Sequence, residues 1–154
     1  MRRVWPRGIK GDQAKHRELT MRIASMQRNL LLGMAIGLVP VALSYGGMPQ
    51  TTLPWLYGAE ADDVPTRHFF RAIMGLYLSL IVFWLAGALR AVLRVPALWS
   101  LFVFSLGLAS GRALSLAVDG WPGFLLFGYL LAEIALAAAA AWLLTKAKKQ
   151  PDAP

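Results

Sequence analysis

The sequence contains no cysteine and only two histidines, His16 and His68, which lie far apart in the chain. It therefore has no disulfide framework, no thiolate nucleophile and no cysteine-based metal site. Acidic residues are also scarce, with eight Asp and Glu against 16 Lys and Arg. No metal and no cofactor is predicted, and chemistry that depends on cysteine or on clustered histidines is excluded.

The sequence is instead rich in apolar residues. They make up 57% of the 154 positions, and the mean hydropathy is +0.51. Both values exceed those of ordinary soluble domains. A net charge of +8 would favour nucleic-acid binding in a soluble chain, but the basic residues here flank apolar runs and accompany no nucleic-acid-binding motif. The composition predicts a protein whose partner is the lipid bilayer and not a nucleic acid.

Four apolar segments approach the roughly 20 residues that a helix needs to cross a bilayer. They are residues 30–45, 69–89, 96–118 and 123–144. Helices are expected because backbone polar groups in lipid must be satisfied within each segment, and no alternating barrel pattern occurs. The predicted fold class is all-α: an integral membrane four-helix bundle over residues 30–145. A basic N-terminal juxtamembrane segment (1–29) precedes it, and a basic and polar tail (146–154) follows.

The distribution of charge predicts the orientation of these helices. Residues 1–29 hold eight Lys or Arg, and further basic residues occupy the turn at 90–94 and the tail. The connections at 46–68 and 119–122 are acidic or carry almost no basic residue. The positive-inside rule therefore predicts that both termini lie in the cytoplasm.

Two features near the N-terminus leave alternatives open. One is the first apolar segment, which is either a spanning helix or a cleaved signal peptide processed at Ala42-Leu43-Ser44; we favour the spanning helix because a basic region of nearly thirty residues is long for a signal. The other concerns the helical spacing of apolar residues from Leu19 to Leu30. This stretch is either a flank that sets the topology or an amphipathic helix lying on anionic lipid.

An arginine and a glutamate lie within the last two apolar segments. At 1.5 Å per residue, Arg112 and Glu133 differ in depth by about 6 Å, and helical side chains tilt so that these two lean toward each other. An unpaired charge at this depth costs at least about 2.5 kcal/mol. The sequence therefore predicts an ion pair between Arg112 and Glu133.

Further polar residues share this region. Ser115 and Asp119 follow Arg112 at i+3 and i+7, on one helix face, and Arg71 opens the second apolar segment. Together with Arg112 and Glu133 they form a predicted polar cluster. It has two possible roles: it holds the helices in register, or it binds a small anionic or polar ligand.

Small residues predict close helix packing. Gly107 and Gly111 in the third segment, and Gly33 and Gly37 in the first, have the four-residue spacing that lets helix backbones approach closely in lipid. Spacing alone does not decide whether these glycines pack against helices of the same chain or against a partner helix.

The run GLASGRALSLAVDGWP, with Glu133 and with RAIMGLY at the start of the second segment, resembles the bacterial inner-membrane family catalogued as domain of unknown function 4345. The resemblance covers about residues 30–144. It implies a four-helix inner-membrane protein with a Gly-Arg-x-x-Ser-x-x-x-Asp-Gly run, a Glu in the fourth helix and an Arg opening the second. Those positions are Gly111, Arg112, Ser115, Asp119, Gly120, Glu133 and Arg71. Where the family pattern leads us to expect Tyr-Gly-Gly, this chain has Met74-Gly75-Leu76.

No phosphate-binding loop, zinc-protease motif or nucleophile elbow occurs, so we do not expect an enzyme. The function that we expect is that of a non-catalytic accessory or assembly subunit of a membrane complex, with a second membrane protein or a second copy as its partner. The alternative is a protein that binds or transports a small molecule or ion through the polar cluster. A membrane enzyme is the third interpretation and would need an unrecognised nucleophile or metal at the same place.

Overall fold

The computed structural model describes the backbone of residues 7–147 and the side chains of residues 13–147. Within this part of the chain, five helices form and no strand does. They are α1 (Arg7–Gly46), α2 (Pro49–Tyr57), α3 (Val64–Leu89), α4 (Ala91–Val118) and α5 (Phe124–Ala147). The four long helices are long and apolar enough to cross a membrane, as expected for a multi-pass membrane protein.

Helix α1 is much longer than the first apolar segment. Its 40 residues span about 60 Å, so the helix continues through most of the basic segment that was predicted to precede it. No proline occurs between Arg7 and Pro40, and Glu18 and Arg22 form an i,i+4 ion pair of 2.9 Å, so nothing stops the helix at the edge of the apolar run. Gln27, which is buried, donates a hydrogen bond to the carbonyl oxygen of Leu143 in α5 (3.4 Å).

The connection predicted at 46–68 is largely helical. It contains α2, which ends at Gly58 in the left-handed conformation (φ 65°), and α3 begins at Val64, earlier than predicted. Asp63 caps α3, because its carboxylate accepts a hydrogen bond from the backbone N–H of Thr66 (2.9 Å). This bond holds the pKa of the Asp63 carboxyl below its usual value. Polar residues surround the starts of both helices, so hydropathy did not predict where these helices begin.

Helices α3 and α4 form a tight hairpin with Arg90 as its single linking residue. Helix α4 therefore begins at Ala91, before Pro96, where the third apolar segment was predicted to start. Gly87 makes the close approach possible, because a Cβ atom there would overlap the Cβ of Ala97. The indole Nε1 of Trp84, which is fully buried, donates to the Ser100 hydroxyl across the hairpin (2.9 Å).

The long helices pack in chain order. Helix α1 packs mainly on α3, α3 also on α4, and α4 on α5, whereas α1 and α5 make few contacts with each other. We call the line between α1 and α5 the seam. Because the long helices alternate in direction, α2 and the α4–α5 turn lie at one end of the bundle, which we call the α2 end. The N-terminal end of α1 and the C-terminal end of α5 lie at the other.

Candidate functional site

The structure joins Arg112 of α4 to Glu133 of α5, as the depth of the two residues predicted. The Arg112 Nε–H donates to both carboxylate oxygens, at 2.9 Å to Oε1 and 3.0 Å to Oε2. The side chains of Arg112 and Glu133 are only 22% and 12% exposed. Since Nε makes both bonds to Glu133, the two terminal amino groups of the guanidinium remain for other acceptors.

All four tyrosines of the sequence gather around this ion pair, and they come from four different helices. The Tyr129 ring lies beneath the guanidinium, with its centroid 5.4 Å from Cζ, in a cation–π arrangement. The Tyr45 hydroxyl is a further polar neighbour of the guanidinium. Tyr57 stacks on Tyr45 at 5.3 Å, and Tyr77 meets Tyr45 edge-on at 5.7 Å. These tyrosines were not predicted from the sequence, although their places in or beside the apolar segments were a usable signal.

Helix α2 positions the ring of Tyr57. The Tyr57 and Ser44 hydroxyls are 3.0 Å apart, and the Thr52 hydroxyl donates to the carbonyl oxygen of Ser44. Leu53 of α2 is fully buried. These contacts fix α2 against the end of α1, so that Tyr57 lies beside Tyr45 and Tyr129 at the α2 end of the bundle.

A cavity of about 210 Å³ adjoins the ion pair within the bundle. Most of its wall is apolar, and its polar lining comes from Arg112, Glu133, Tyr77, Tyr129 and Ser105. Ser105 is 1% exposed, so its hydroxyl belongs to the buried part of this wall. The cavity thus combines an apolar body with a few convergent polar groups, which is the composition of a typical small-molecule site.

The cavity reaches the surface along the seam. Gly37 of α1 and Ala132 of α5 both line it, and both are exposed. Neither residue has a side chain large enough to close the gap between the two helices. A second cavity of about 70 Å³ lies on the other side of Arg112, and Ser115 is part of its wall. Arg112 therefore borders both spaces.

The remaining members of the predicted polar cluster are placed less centrally. The Ser115 hydroxyl donates to the Asp119 carboxylate (2.8 Å), and Asp119 is exposed at the end of α4. Arg71 is exposed and makes no hydrogen bond or ion pair with residues 13–147. Its backbone packs at Gly46 of α1. The structure brings Arg112, Glu133 and Ser115 together, and a role for Arg71 beside them stays a prediction.

The four glycines predicted to pack helices closely do not do so within this chain. Gly33, Gly37, Gly107 and Gly111 are exposed, and a Cβ atom added at any of them would meet open space. Close approaches occur instead at Gly46 and Gly87. A four-residue spacing defines one face of a helix but not the direction in which that face points. Packing of the four glycines against a partner helix stays a prediction.

The arrangement suits non-covalent binding. It offers a charged hydrogen-bond donor, hydroxyl groups that donate or accept, and an apolar space beside them. Among the described residues, no group of three or more His, Cys, Asp or Glu side chains is placed to hold a metal ion.

Comparison with known proteins gives a family for this chain. The family model described as "Domain of unknown function (DUF4345)" matches residues 26–144, which is most of the sequence and includes the whole site. The resemblance seen in the sequence is thereby confirmed. Searches of the curated proteins and of the solved structures found no match.

Proposed function

We propose a binding role for this chain, which belongs to the family of the domain of unknown function DUF4345. The proposed ligand is a small, lipid-soluble molecule held between the helices, and the chain carries out no catalysis on it. One observation carries the proposal: a cavity of about 210 Å³ whose apolar wall is interrupted by the buried pair Arg112–Glu133.

The cavity is the feature that a purely structural ion pair does not explain. A pair that served only to hold α4 and α5 in register would be best packed against side chains on every side. A space of about 210 Å³ leaves part of the pair without packed side chains, and because this space opens on the seam, a molecule from the bilayer can fill it.

Gly37→Leu tests this role, with Gly33→Leu as the matched control. Both glycines lie in α1 and face open space, so both substitutions have similar effects on the helix, but only Gly37 lines the cavity. We expect the protein, extracted from its own membrane in mild detergent, to retain a small-molecule mass in native mass spectrometry. Gly37→Leu should lower the retained fraction at least about tenfold, equivalent to 1.4 kcal/mol, and Gly33→Leu should not.

Two results would contradict the binding role. One is a wild-type protein that carries no small-molecule mass when gently extracted. The other is a retained mass that Gly37→Leu leaves unchanged, because the molecule would then lie outside the cavity.

A role as an accessory subunit of a membrane complex is the second candidate. It is favoured by the exposed helix faces that carry Gly33, Gly107 and Gly111. Because glycine has no side chain, a partner helix could approach the backbone closely at these positions. The same mass spectra test it. A second protein at fixed stoichiometry, which is lost when Gly107 and Gly111 are both replaced by leucine, would support assembly. A chain that is alone under these conditions argues against it.

We further propose that the protein lies in the bacterial inner membrane with both termini in the cytoplasm. The excess of basic residues in α1 before Leu30 and at the α3–α4 hairpin supports this orientation. The resemblance to a bacterial inner-membrane family supports the location. A fluorescent protein fused to the C-terminus should fluoresce, and alkaline phosphatase fused there should be inactive. The reverse pattern would overturn the orientation.

A further inference from the structure

We infer that the cavity selects an uncharged molecule whose carbonyl or ether oxygen accepts a hydrogen bond from Arg112, and that this molecule enters from the bilayer through the seam. The inference rests on the proposed binding role and names the chemical class of the ligand. It follows from the charge of the site, the donors that face the cavity and the position of its opening.

Charge balance excludes an anionic ligand first. A single arginine beside an apolar cavity would ordinarily indicate a carboxylate or phosphate. Here Glu133 already neutralises the guanidinium, since both of its carboxylate oxygens are bonded to Nε. An anion added to this neutral pair would leave one negative charge without a partner in a low-dielectric interior, which is strongly disfavoured. Asp119, which follows α4 and accepts a hydrogen bond from Ser115, is also negative.

The donors around the cavity call for an acceptor. The terminal amino groups of Arg112 supply four N–H donors and no acceptor, and Tyr45 is the protein group beside them. Ser105 adds a buried hydroxyl to the cavity wall. A carbonyl or ether oxygen satisfies these donors without bringing a charge into the site. A pure hydrocarbon would fill the space but would leave the donors unsatisfied.

The size and opening of the cavity point to a source in the membrane. A cavity of about 150 Å³ lined by apolar residues is known to accept benzene, so about 210 Å³ suits a substituted ring or a short branched chain. The opening lies between Gly37 and Ala132 on the long sides of α1 and α5, within the apolar span. A molecule reaching this opening comes from lipid and not from water.

Three fluorinated probes of matched shape test the inference: 4-fluoroacetophenone, 4-fluorocumene and 4-fluorobenzoate. The first has a carbonyl, the second replaces it with an apolar group of the same shape, and the third is anionic. Each is titrated into full-length protein in lipid nanodiscs and followed by ¹⁹F NMR line broadening. Nanodiscs that contain the Gly37→Leu protein serve as the blank, and subtracting their signal removes the contribution of simple partitioning into lipid. The Gly33→Leu protein, in which the cavity stays open, is the matched control.

We expect 4-fluoroacetophenone to bind about tenfold more tightly than 4-fluorocumene, the factor that one hydrogen bond from a charged donor supplies. Binding of 4-fluorobenzoate should be weaker than that of either. Equal binding of the acetophenone and the cumene would overturn the inference but leave the binding role in place, because the cavity would then accept any apolar ring. Preferential binding of the benzoate would also overturn it. Absence of cavity-dependent binding by all three would contradict both proposals.

Removing the charge of Glu133 should reverse the preference. In Glu133→Gln the guanidinium has no counter-ion, so an anion restores neutrality. We expect 4-fluorobenzoate to raise the unfolding temperature of Glu133→Gln and to leave that of the wild type unchanged. We expect 4-fluoroacetophenone to raise the unfolding temperature of the wild type more than that of Glu133→Gln. This readout needs only enough folded protein for a melting curve. If benzoate fails to stabilise Glu133→Gln, charge balance does not govern what the site accepts.

Discussion

Glu133→Gln is expected to lower the free energy of unfolding by about 3 kcal/mol, or the unfolding temperature by roughly 6–12 °C, in mild detergent. The reason is the charge that remains. Arg112 is mostly buried and Glu133 is its ion-pair partner, so an amide at position 133 leaves a guanidinium in the bundle without a counter-charge. Arg112→Met should be destabilising in the same way, since it leaves the carboxylate unpaired.

The double variant Arg112→Met/Glu133→Leu is the control for this prediction. It removes both charges and keeps side chains of similar size, so we expect it to recover to within about 1 kcal/mol of the wild type. Recovery would show that the cost in the single variants comes from the unpaired charge and not from lost packing. Single variants as stable as the wild type would mean that the ion pair contributes nothing to holding α4 and α5 together.

Trp84→Ala is expected to cost about 4 kcal/mol, the largest effect of any single substitution considered for this chain. The Trp84 side chain is 0% exposed and lies where α3 and α4 meet the core. Alanine would leave a large cavity next to Phe104, whose ring centroid is 5.5 Å from that of the indole, and would remove the donor to Ser100. Lipid cannot fill a space that is closed by helices on all sides, so the cost persists in a membrane.

Trp55→Ala is the matched control for Trp84→Ala. Trp55 is 81% exposed, so its loss should change the unfolding free energy by less than about 0.5 kcal/mol. Chemical unfolding in mixed micelles, followed by helical circular dichroism, measures both variants. Equal stability of the two would show that Trp84 does not hold α3 and α4 together.

Much of the fold could be predicted from hydropathy because lipid imposes a simple length requirement. Each of the four predicted spans corresponds to one long helix, and each of those helices is apolar enough to cross a membrane. The boundaries were less accurate. Helix α1 continues to Arg7 and helix α2 was missed altogether, because hydropathy detects what lipid tolerates and not where a helix physically stops.

The contact between Arg112 and Glu133 could also be predicted, because a buried charge needs a partner and the sequence offers few candidates at the right depth. Glu133 is the only acidic residue in the fourth apolar segment, and its depth is within reach of Arg112. A charge in lipid must find a partner, and this requirement selects the contact almost by itself.

The sequence by itself determined the class of the protein, its spans and the ion pair between Arg112 and Glu133, because transfer into lipid penalises polar groups so heavily that composition and depth suffice. Only the tertiary structure decided the rest: the four tyrosines around Arg112, the cavity and the seam. Those features depend on how each helix is rotated about its own axis. When nearly every face of a helix is apolar, as in α5, hydropathy does not predict which face points into the bundle. Packing against neighbouring helices determines that rotation.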